Sequence, residues 1–178
     1  MSRKRNAATI LAFVAAFGLA PQPGAAQESH QASWFAGIAS GWYFPTKKWT
    51  SSYTLGGGGS FLVGYAKNDR WAAQLDANMW LCSGNGIDSW DIKVIPEVTH
   101  AFGGGAVAPF ALTGVGVEYQ RLYPAKTAIV AAVVPLGAGV QWRMNGGGRF
   151  FIEGIYYIAS DRLAAHDFPL LAGFRVPF

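Results

Sequence analysis

Apolar and polar residues alternate repeatedly along residues 27–178, and no helical period of useful length occurs there. The clearest alternation runs through residues 71–82. Its odd positions, from Trp71 to Leu81, are all apolar, whereas its even positions include Gln74, Asp76 and Asn78. Because successive side chains of a strand point to opposite faces, this period predicts a β-strand with one apolar and one polar side.

Seven further segments show the same pattern, which predicts eight strands: 33–44, 60–66, 71–82, 90–99, 109–119, 130–143, 150–158 and 169–178. Most approach the ~9–11 residues of a tilted membrane-spanning strand. The predicted connections alternate between short ones at 67–70, 103–105 and 145–148 and longer ones at 45–58, 83–89, 120–128 and 159–168. An even strand number with short periplasmic turns and longer external loops is typical of bacterial outer-membrane barrels. The sequence therefore predicts an all-β fold, an eight-stranded antiparallel up-and-down transmembrane β-barrel.

Aromatic residues on the predicted outer face fall into two rows. One row lies toward the short turns and contains Trp34, Trp71, Trp142, Phe150 and Phe178. The other lies toward the long loops and contains Trp42, Phe44, Trp90, Tyr119 and Tyr156. Aromatic rings favour the two membrane–water interfaces, so two rows indicate a barrel that crosses a bilayer.

The predicted inner face is polar and consists of Gln74, Asp76, Asn78, Lys93, Glu97, Glu118, Gln141, Arg143, Glu153 and Arg175. An eight-stranded barrel has an interior that side chains can fill, and charges buried there need partners. Four acids and three bases suggest near balance, and the interior acids and bases are expected to pair; whether Asp76 pairs with a base such as Lys93, Arg143 or Arg175 is left open by the sequence. The pattern favours a packed polar interior over an open pore or an active site.

Two prolines interrupt this pattern. Pro96 and Pro135 lie inside predicted strands, where a proline removes a ladder hydrogen bond, and are expected at strand ends or bulges. Alternation is also weak across residues 127–135, which leaves the start of that strand open.

The first 26 residues have the features of a secretory signal peptide. Arg3, Lys4 and Arg5 precede an apolar stretch from Ala7 to Ala20, and small residues permit a cut after Ala26. The predicted organisation is thus a signal peptide at 1–26 and a barrel domain at 27–178. No run of 18 apolar residues follows, which excludes helical spans.

Removal of the signal changes the charge. Three of the 14 Lys and Arg residues lie within it, which leaves 11 basic against 10 acidic residues and gives no argument for nucleic-acid binding. Cys82 is the only cysteine, so it forms no internal disulfide and is expected to be buried.

The C-terminal third carries a resemblance to a known family. The ending 173–178, a glycine followed by a hydrophobic residue and a terminal aromatic, resembles the assembly signal of outer-membrane barrels. Residues 109–116, 150–154 and 169–175 resemble the OmpX/Ail-like small-barrel families. Pro177 and Leu171 depart from the usual pattern. The resemblance implies the barrel fold, recognition by the barrel-assembly machinery and contact with outer-membrane lipids, and it specifies activity poorly.

Catalytic and metal chemistry find little support. A lipid A acyl hydrolase needs a nucleophile, a base and an orienting carboxylate. The candidates are His30 in the N-terminal tail, His100 at a turn and His166 near Ser160, Asp161 and Asp167. The His-x-Ser-Asn signature of lipid A deacylases is not matched by residues 156–160, which lack the histidine. The glycine run 56–59 lacks the rest of a phosphate loop and is expected to be a loop entering a strand. No spacing indicates a metal or a cofactor.

Three functional classes follow from these observations. The first is a non-enzymatic outer-membrane protein with a structural or adhesin-like role, whose loops 45–58 and 159–168 contact a surface ligand. Lys47, Lys48, Trp49 and Tyr53 in the first loop suit anionic sugars. The alternatives are a lipid A-modifying acyl hydrolase and a soluble periplasmic ligand-binding barrel, and the charged inner face disfavours the latter.

Overall fold

The computed structural model describes residues 32–46, 55–84, 87–123, 126–144, 146–160 and 166–178. The described chain is all β. Its strands are β1 Ser33–Thr46, β2 Leu55–Ala66, β3 Trp71–Gly84, β4 Ile87–Ala101, β5 Val107–Gly114, β6 Gly116–Tyr123, β7 Thr127–Arg143, β8 Arg149–Ala159 and β9 His166–Pro177. Among these residues, no helix is long and apolar enough to cross a membrane.

The strands close into a barrel by antiparallel pairing. The first strand, β1, pairs with β2 on one side and with β9, the last, on the other, from Phe35 opposite Pro177 to Thr46 opposite His166. The short strands β5 and β6 lie end to end between β4 and β7, so together they occupy one strand position of the barrel, or one stave. The barrel therefore has eight staves, and the predicted fold class is confirmed. One end carries the turns between β2 and β3, β4 and β5, and β7 and β8 (the turn end); the opposite end is called the loop end.

Two prolines explain why one stave is split. The register places Val115, the residue between β5 and β6, opposite Pro96 of β4, and Gly114 opposite Pro135 of β7. Val115 donates its N–H to the Pro96 carbonyl at 3.3 Å, but Pro96 has no N–H to return. Pro135 likewise has no N–H to donate. The prolines thus lie within β4 and β7, and the ladder is interrupted in the strand between them.

The two faces of the barrel follow the predicted register. In β3, Leu75 is 41% exposed on the outside and Asp76 is 1% exposed on the inside. Among the outward positions of the described strand residues, the only charged side chains are Asp88 and Arg121, both near the loop end. A barrel dissolved in water would have no reason to keep charge off most of its outer surface, so this surface suits a hydrocarbon solvent.

The two aromatic rows lie where the sequence predicted them. At the turn end, Trp34 contacts Tyr65 of the next strand with ring centroids 5.4 Å apart, and Trp142 contacts Phe150 at the same distance. At the loop end, Trp90 contacts Tyr119, also at 5.4 Å. Each contact joins neighbouring strands, so both rows contain cross-strand aromatic pairs.

The strands extend further toward the loop end than the sequence predicted. The predicted loops 83–89 and 120–128 are mostly strand, because β3 ends at Gly84, β4 begins at Ile87, β6 ends at Tyr123 and β7 begins at Thr127. In the predicted loops 45–58 and 159–168, the first and last residues also belong to the flanking strands. The outward positions at these heights include Ser83, Asp88 and Arg121, so the apolar–polar alternation disappears although the backbone pairing continues.

The glycine run 56–59 is likewise part of a strand rather than a loop. Its four residues pair with β3, from Gly56 opposite Cys82 to Gly59 opposite Met79. A Cβ at Gly56 would lie 2.3 Å from the Cys82 sulfur, and one at Gly58 would lie 2.6 Å from the Trp80 ring. Glycine is needed here because larger side chains of β3 occupy the space.

Candidate functional site

The buried polar and charged side chains of the described residues point into the barrel interior. All ten residues predicted for the inner face point inward, and of these only Arg143 is more than slightly exposed. The interior also contains residues that were not in that prediction: Asp69, Asp91, Gln120, Arg149 and Asp167. Seven acids and four bases therefore face the interior of the described barrel, so the expected near balance of charge is wrong.

A buried lysine lies at the centre of a cluster of carboxylates in the half of the interior toward the loop end. The Lys93 ammonium is fully buried and lies 2.5 Å from Asp91 Oδ1, 3.1 Å from Glu118 Oε1 and 3.2 Å from Asp167 Oδ2. These carboxylates come from β4, β6 and β9. The rings of Tyr43 and Tyr157 flank the ammonium with centroids at 5.4 and 5.1 Å. A buried ammonium needs this many partners because it has lost its hydration shell.

The three carboxylates around Lys93 have the spacing of a metal site. One oxygen from each of Asp91, Glu118 and Asp167 lies within 4.8 Å of the others. The Lys93 ammonium, however, lies within ion-pair distance of all three. Because the internal cation already occupies the centre of the cluster, its geometry is that of a structural ion-pair network.

A second network lies nearer the middle of the barrel. Asp76 accepts hydrogen bonds from the Ser60 hydroxyl and from Asn78 Nδ2. Asn78 also donates to the Tyr157 hydroxyl at 3.2 Å and accepts from Trp80 Nε1 at 3.0 Å. Neutral donors therefore hold Asp76, and among the described residues it forms no ion pair with Lys93, Arg143 or Arg175.

Arg175 is the second buried cation and lies toward the turn end. Its guanidinium faces the rings of Phe35, Phe110 and Phe151, whose centroids lie 5.7, 5.7 and 4.6 Å from Cζ. Its ion-pair partner is Glu153, and the contact between Nη2 and Oε2 is 3.9 Å long. That distance is too great for a hydrogen bond, and Nε and Nη2 have no hydrogen-bond partner.

Asp69 joins the turns at the turn end. Its carboxylate lies 2.7 Å from Arg143 Nη2 and 3.1 Å from Arg149 Nη2. Arg149 also lies 3.3 Å from Gln141 Oε1. Because Asp69 belongs to the turn between β2 and β3 while both arginines flank the turn between β7 and β8, this contact crosses the mouth of the barrel.

The structure does not bring the described catalytic candidates together. His100 lies on the outer face near the turn end, with its ring stacked on Trp71 at 4.2 Å. The hydroxyl of Ser160 accepts the Ala132 N–H at 3.1 Å at the loop end. Asp167, predicted in a loop, is buried in β9 against Lys93. His30, Asp161 and the side chain of His166 lie outside the described residues.

The interior residues that sequence reasoning missed carry the same signal as those it found. Tyr43 and Tyr157 follow the outward-facing Trp42 and Tyr156 by one position, so strict alternation places them inside. Asp167 shares the parity of Arg175 on β9. Gln120 and Asp167 lie where the structure extends the predicted strands, Tyr43 and Tyr157 are inward aromatic residues, and Asp91 is an inward acid that shares the parity of Lys93 on β4.

Neither a protein-family model nor a curated protein sequence matches the chain. Solved structures do resemble it. Neisserial surface protein A (NspA) has 13% identity, covers 84% of this chain and 99% of its own, and has a TM-score of 0.65. The fold is that of the small outer-membrane barrels. Ail, the attachment invasion locus protein of Yersinia pestis, has 15% identity, 83% and 97% coverage and a TM-score of 0.56.

The N-terminal β-barrel domain of Pseudomonas aeruginosa OprF is also similar, with 12% identity, 85% and 100% coverage and a TM-score of 0.50. In each case nearly the whole of the matched chain is covered, so the likeness extends over the complete barrel. At these identities the likeness concerns the fold alone.

Proposed function

We propose that this chain is an integral outer-membrane protein whose packed barrel conducts no solutes and which acts as a structural or surface-interaction protein. In this proposal residues 1–26 direct export and are removed. The turn end faces the periplasm and the loop end faces the outside, as is usual for barrels with short periplasmic turns.

The outer surface carries the membrane part of this proposal. Between the two aromatic rows, the described outward positions hold apolar or small residues, with Leu75 at 41%, Val94 at 44% and Leu136 at 50% exposure. Apolar surface of this extent is unfavourable in water and favourable in hydrocarbon. It argues against the alternative of a soluble ligand-binding barrel, as does the charged interior.

The interior supports the absence of transport. Trp80 and Lys93, from β3 and β4, and Tyr157, from β8, are each fully buried in the middle of the barrel. Hydrogen bonds and ion pairs tie these side chains to neighbouring strands, so opening a path would break several of them together. Eight strands leave room for side chains but not for a water-filled channel.

The test of this proposal is location together with conductance. The mature protein should fractionate with the outer membrane and resist extraction by carbonate. In planar bilayers it should give no discrete conductance steps, with a general porin as positive control. Recovery in the soluble periplasmic fraction would exclude the membrane barrel, whereas regular channel openings would exclude only the packed interior.

The loop end is the surface available for a partner. β1 ends at Thr46 and β2 begins at Leu55, so residues 47–54, which lie outside the described residues, connect two strands at this end. This segment contains Lys47, Lys48 and Trp49, a composition suited to anionic sugars. Ail has been crystallised in complex with the heparin analogue sucrose octasulfate, which makes a sulfated oligosaccharide a suitable probe here.

Binding of heparin oligosaccharide to protein in vesicles tests this part of the proposal. The double variant Lys47→Glu, Lys48→Glu should bind at least about tenfold more weakly than the parent, since several charge-assisted contacts are lost. The control is Lys67→Glu, which changes an exposed lysine at the turn end. Equal binding by all three proteins would refute a ligand role for this loop and leave the structural role.

A further inference from the structure

We propose that the mouth of the barrel at the turn end is a binding site for a small oxyanion of the phosphate class, held between Arg175 and Arg149. This site lies at the opposite end of the barrel from the loop-end surface proposed to bind sugars. It does not depend on that surface binding anything.

The site is a cavity of about 50 Å³ just inside the mouth. Its charged lining residues are Asp69, Arg70, Arg149 and Arg175, so three arginines and one aspartate border the same space. A single water needs roughly 10–15 Å³ of such volume. The cavity is therefore larger than a single water and has room for a small oxyanion.

Arg175 supplies the observation that indicates a ligand. It is 6% exposed, it lines the cavity, and its Nε and Nη2 donate no hydrogen bond. Its ion pair with Glu153 is 3.9 Å long, its guanidinium faces three phenylalanine rings, and it interacts at longer range with the buried carboxylates of Glu97 and Asp76. Buried donors without partners are costly, so an acceptor in the cavity would stabilise this guanidinium.

Arg149, which lies directly opposite Arg175 across the β8–β9 ladder, makes the cavity favourable for an anion. Arg149 is fixed by Asp69 and Gln141, which leaves it oriented at the rim rather than free to turn to solvent. Asp69 is the acid that lines the cavity, and it is already paired with both Arg143 and Arg149. Planar guanidinium groups bind phosphate through paired hydrogen bonds.

The experiment uses the mature chain folded in detergent micelles. Inorganic phosphate is titrated at constant ionic strength, with sodium chloride as the replaced salt, while thermal unfolding and ³¹P NMR line width are recorded. A bound anion stabilises the folded state by mass action, so Tm should rise and saturate. Acetate is titrated in parallel, because a carboxylate-selective site would respond to acetate and leave phosphate without effect; that result would overturn the assignment to phosphate.

The variants decide whether the response belongs to this cavity. Arg175→Met should weaken phosphate binding by roughly ten- to hundredfold, since charge-assisted hydrogen bonds are lost. Arg121→Gln removes an arginine near the loop end and should bind like the parent. If Arg175→Met does not fold, Ala66→Asp supplies the test: Ala66 lines the cavity at its rim, and a carboxylate there should abolish the response. No saturable response in the parent, or an equal response in Ala66→Asp, would overturn the proposal.

Discussion

Gly58 lies directly opposite Trp80 across the β2–β3 ladder, and the missing side chain of the glycine makes room for the buried indole. A Cβ at Gly58 would lie 2.6 Å from the Trp80 ring and 2.1 Å from the Met79 carbonyl oxygen. The relationship matters because Trp80 donates to Asn78 in the middle network of the interior. A glycine run that looks like a flexible linker is thus a packing feature.

We predict that Gly58→Ala destabilises the barrel by about 1–3 kcal/mol, the usual cost of overpacking a filled interior. The neighbouring Gly57→Ala is the matched control, because a Cβ there would meet nothing closer than the Gly41 carbonyl oxygen at 3.8 Å. It should be neutral or slightly stabilising. Urea unfolding in lipid vesicles measures both, and equal effects would refute the packing role.

The second prediction concerns Lys93. Lys93→Met leaves Asp91, Glu118 and Asp167 buried without their central cation, which should cost about 3–5 kcal/mol. Adding Asp167→Asn should recover part of the loss, since one unpaired charge is removed. Lys67→Met, at an exposed turn, should change stability by less than about 0.5 kcal/mol. A mild effect of Lys93→Met in the same unfolding assay would show that the network contributes little.

The third prediction tests which face meets lipid. Leu75 points outward near the middle of β3, where Leu75→Arg should cost about 2–4 kcal/mol, and Leu75→Val should hardly matter. Asp76→Leu, one residue along, removes the acceptor of Ser60 and Asn78 and should impair folding. If unfolding titrations show that Leu75→Arg leaves the free energy of unfolding unchanged, the assignment of inside and outside is inverted.

How far the sequence predicts the fold depends on where along each strand one looks. Between Trp71 and Leu81 the alternation assigns every residue to the correct face, because lipid and interior differ most there. It fails near Asp88 and Arg121, where the strands reach beyond the apolar band and both faces become polar. It also fades at the start of β7, where the inward residues Ile129 and Val133 are as apolar as the outward ones.

The interior site was predictable in composition but not in pairing. Lys93 meets acids from its own strand, from β6 and from β9, and nothing in the sequence orders these strands by height. The partner of Asp76 is an example: it is the hydroxyl of Ser60 on the neighbouring strand, and a rule that pairs acids with bases does not predict it. Partners across a barrel depend on strand register, which only the folded structure supplies.

The fourth prediction concerns Phe178. Its N–H donates to the Trp34 carbonyl at 3.0 Å, and its ring is 77% exposed at the turn end. The ring thus contributes little to packing, and we expect it to be read by the barrel-assembly machinery. Deleting it should lower the folded fraction in cells, measured by heat-modifiable gel mobility, while signal cleavage continues. Unchanged insertion would contradict an assembly role for the terminal residue.

The fifth prediction concerns catalysis. Because the structure leaves Ser160 bonded to the backbone and Asp167 paired with Lys93, we expect no change in lipid A when the protein is expressed. Mass spectrometry of lipid A from cells with and without the protein provides the check. A lost acyl chain that is restored by His166→Ala would establish an acyl hydrolase instead.

The last strand, β9, has a consequence for how the chain is made. It supplies Asp167 to the ion-pair network around Lys93 and Arg175 as the buried cation toward the turn end. It also closes the sheet against β1. β9 is also the last of these strands along the chain. Until it arrives, Lys93 lacks one counter-ion, Glu153 lacks its cation, and two strand edges are open. We therefore expect the barrel to become stable only when β9 pairs with both β1 and β8, because that step supplies the missing ion-pair partners and closes the sheet.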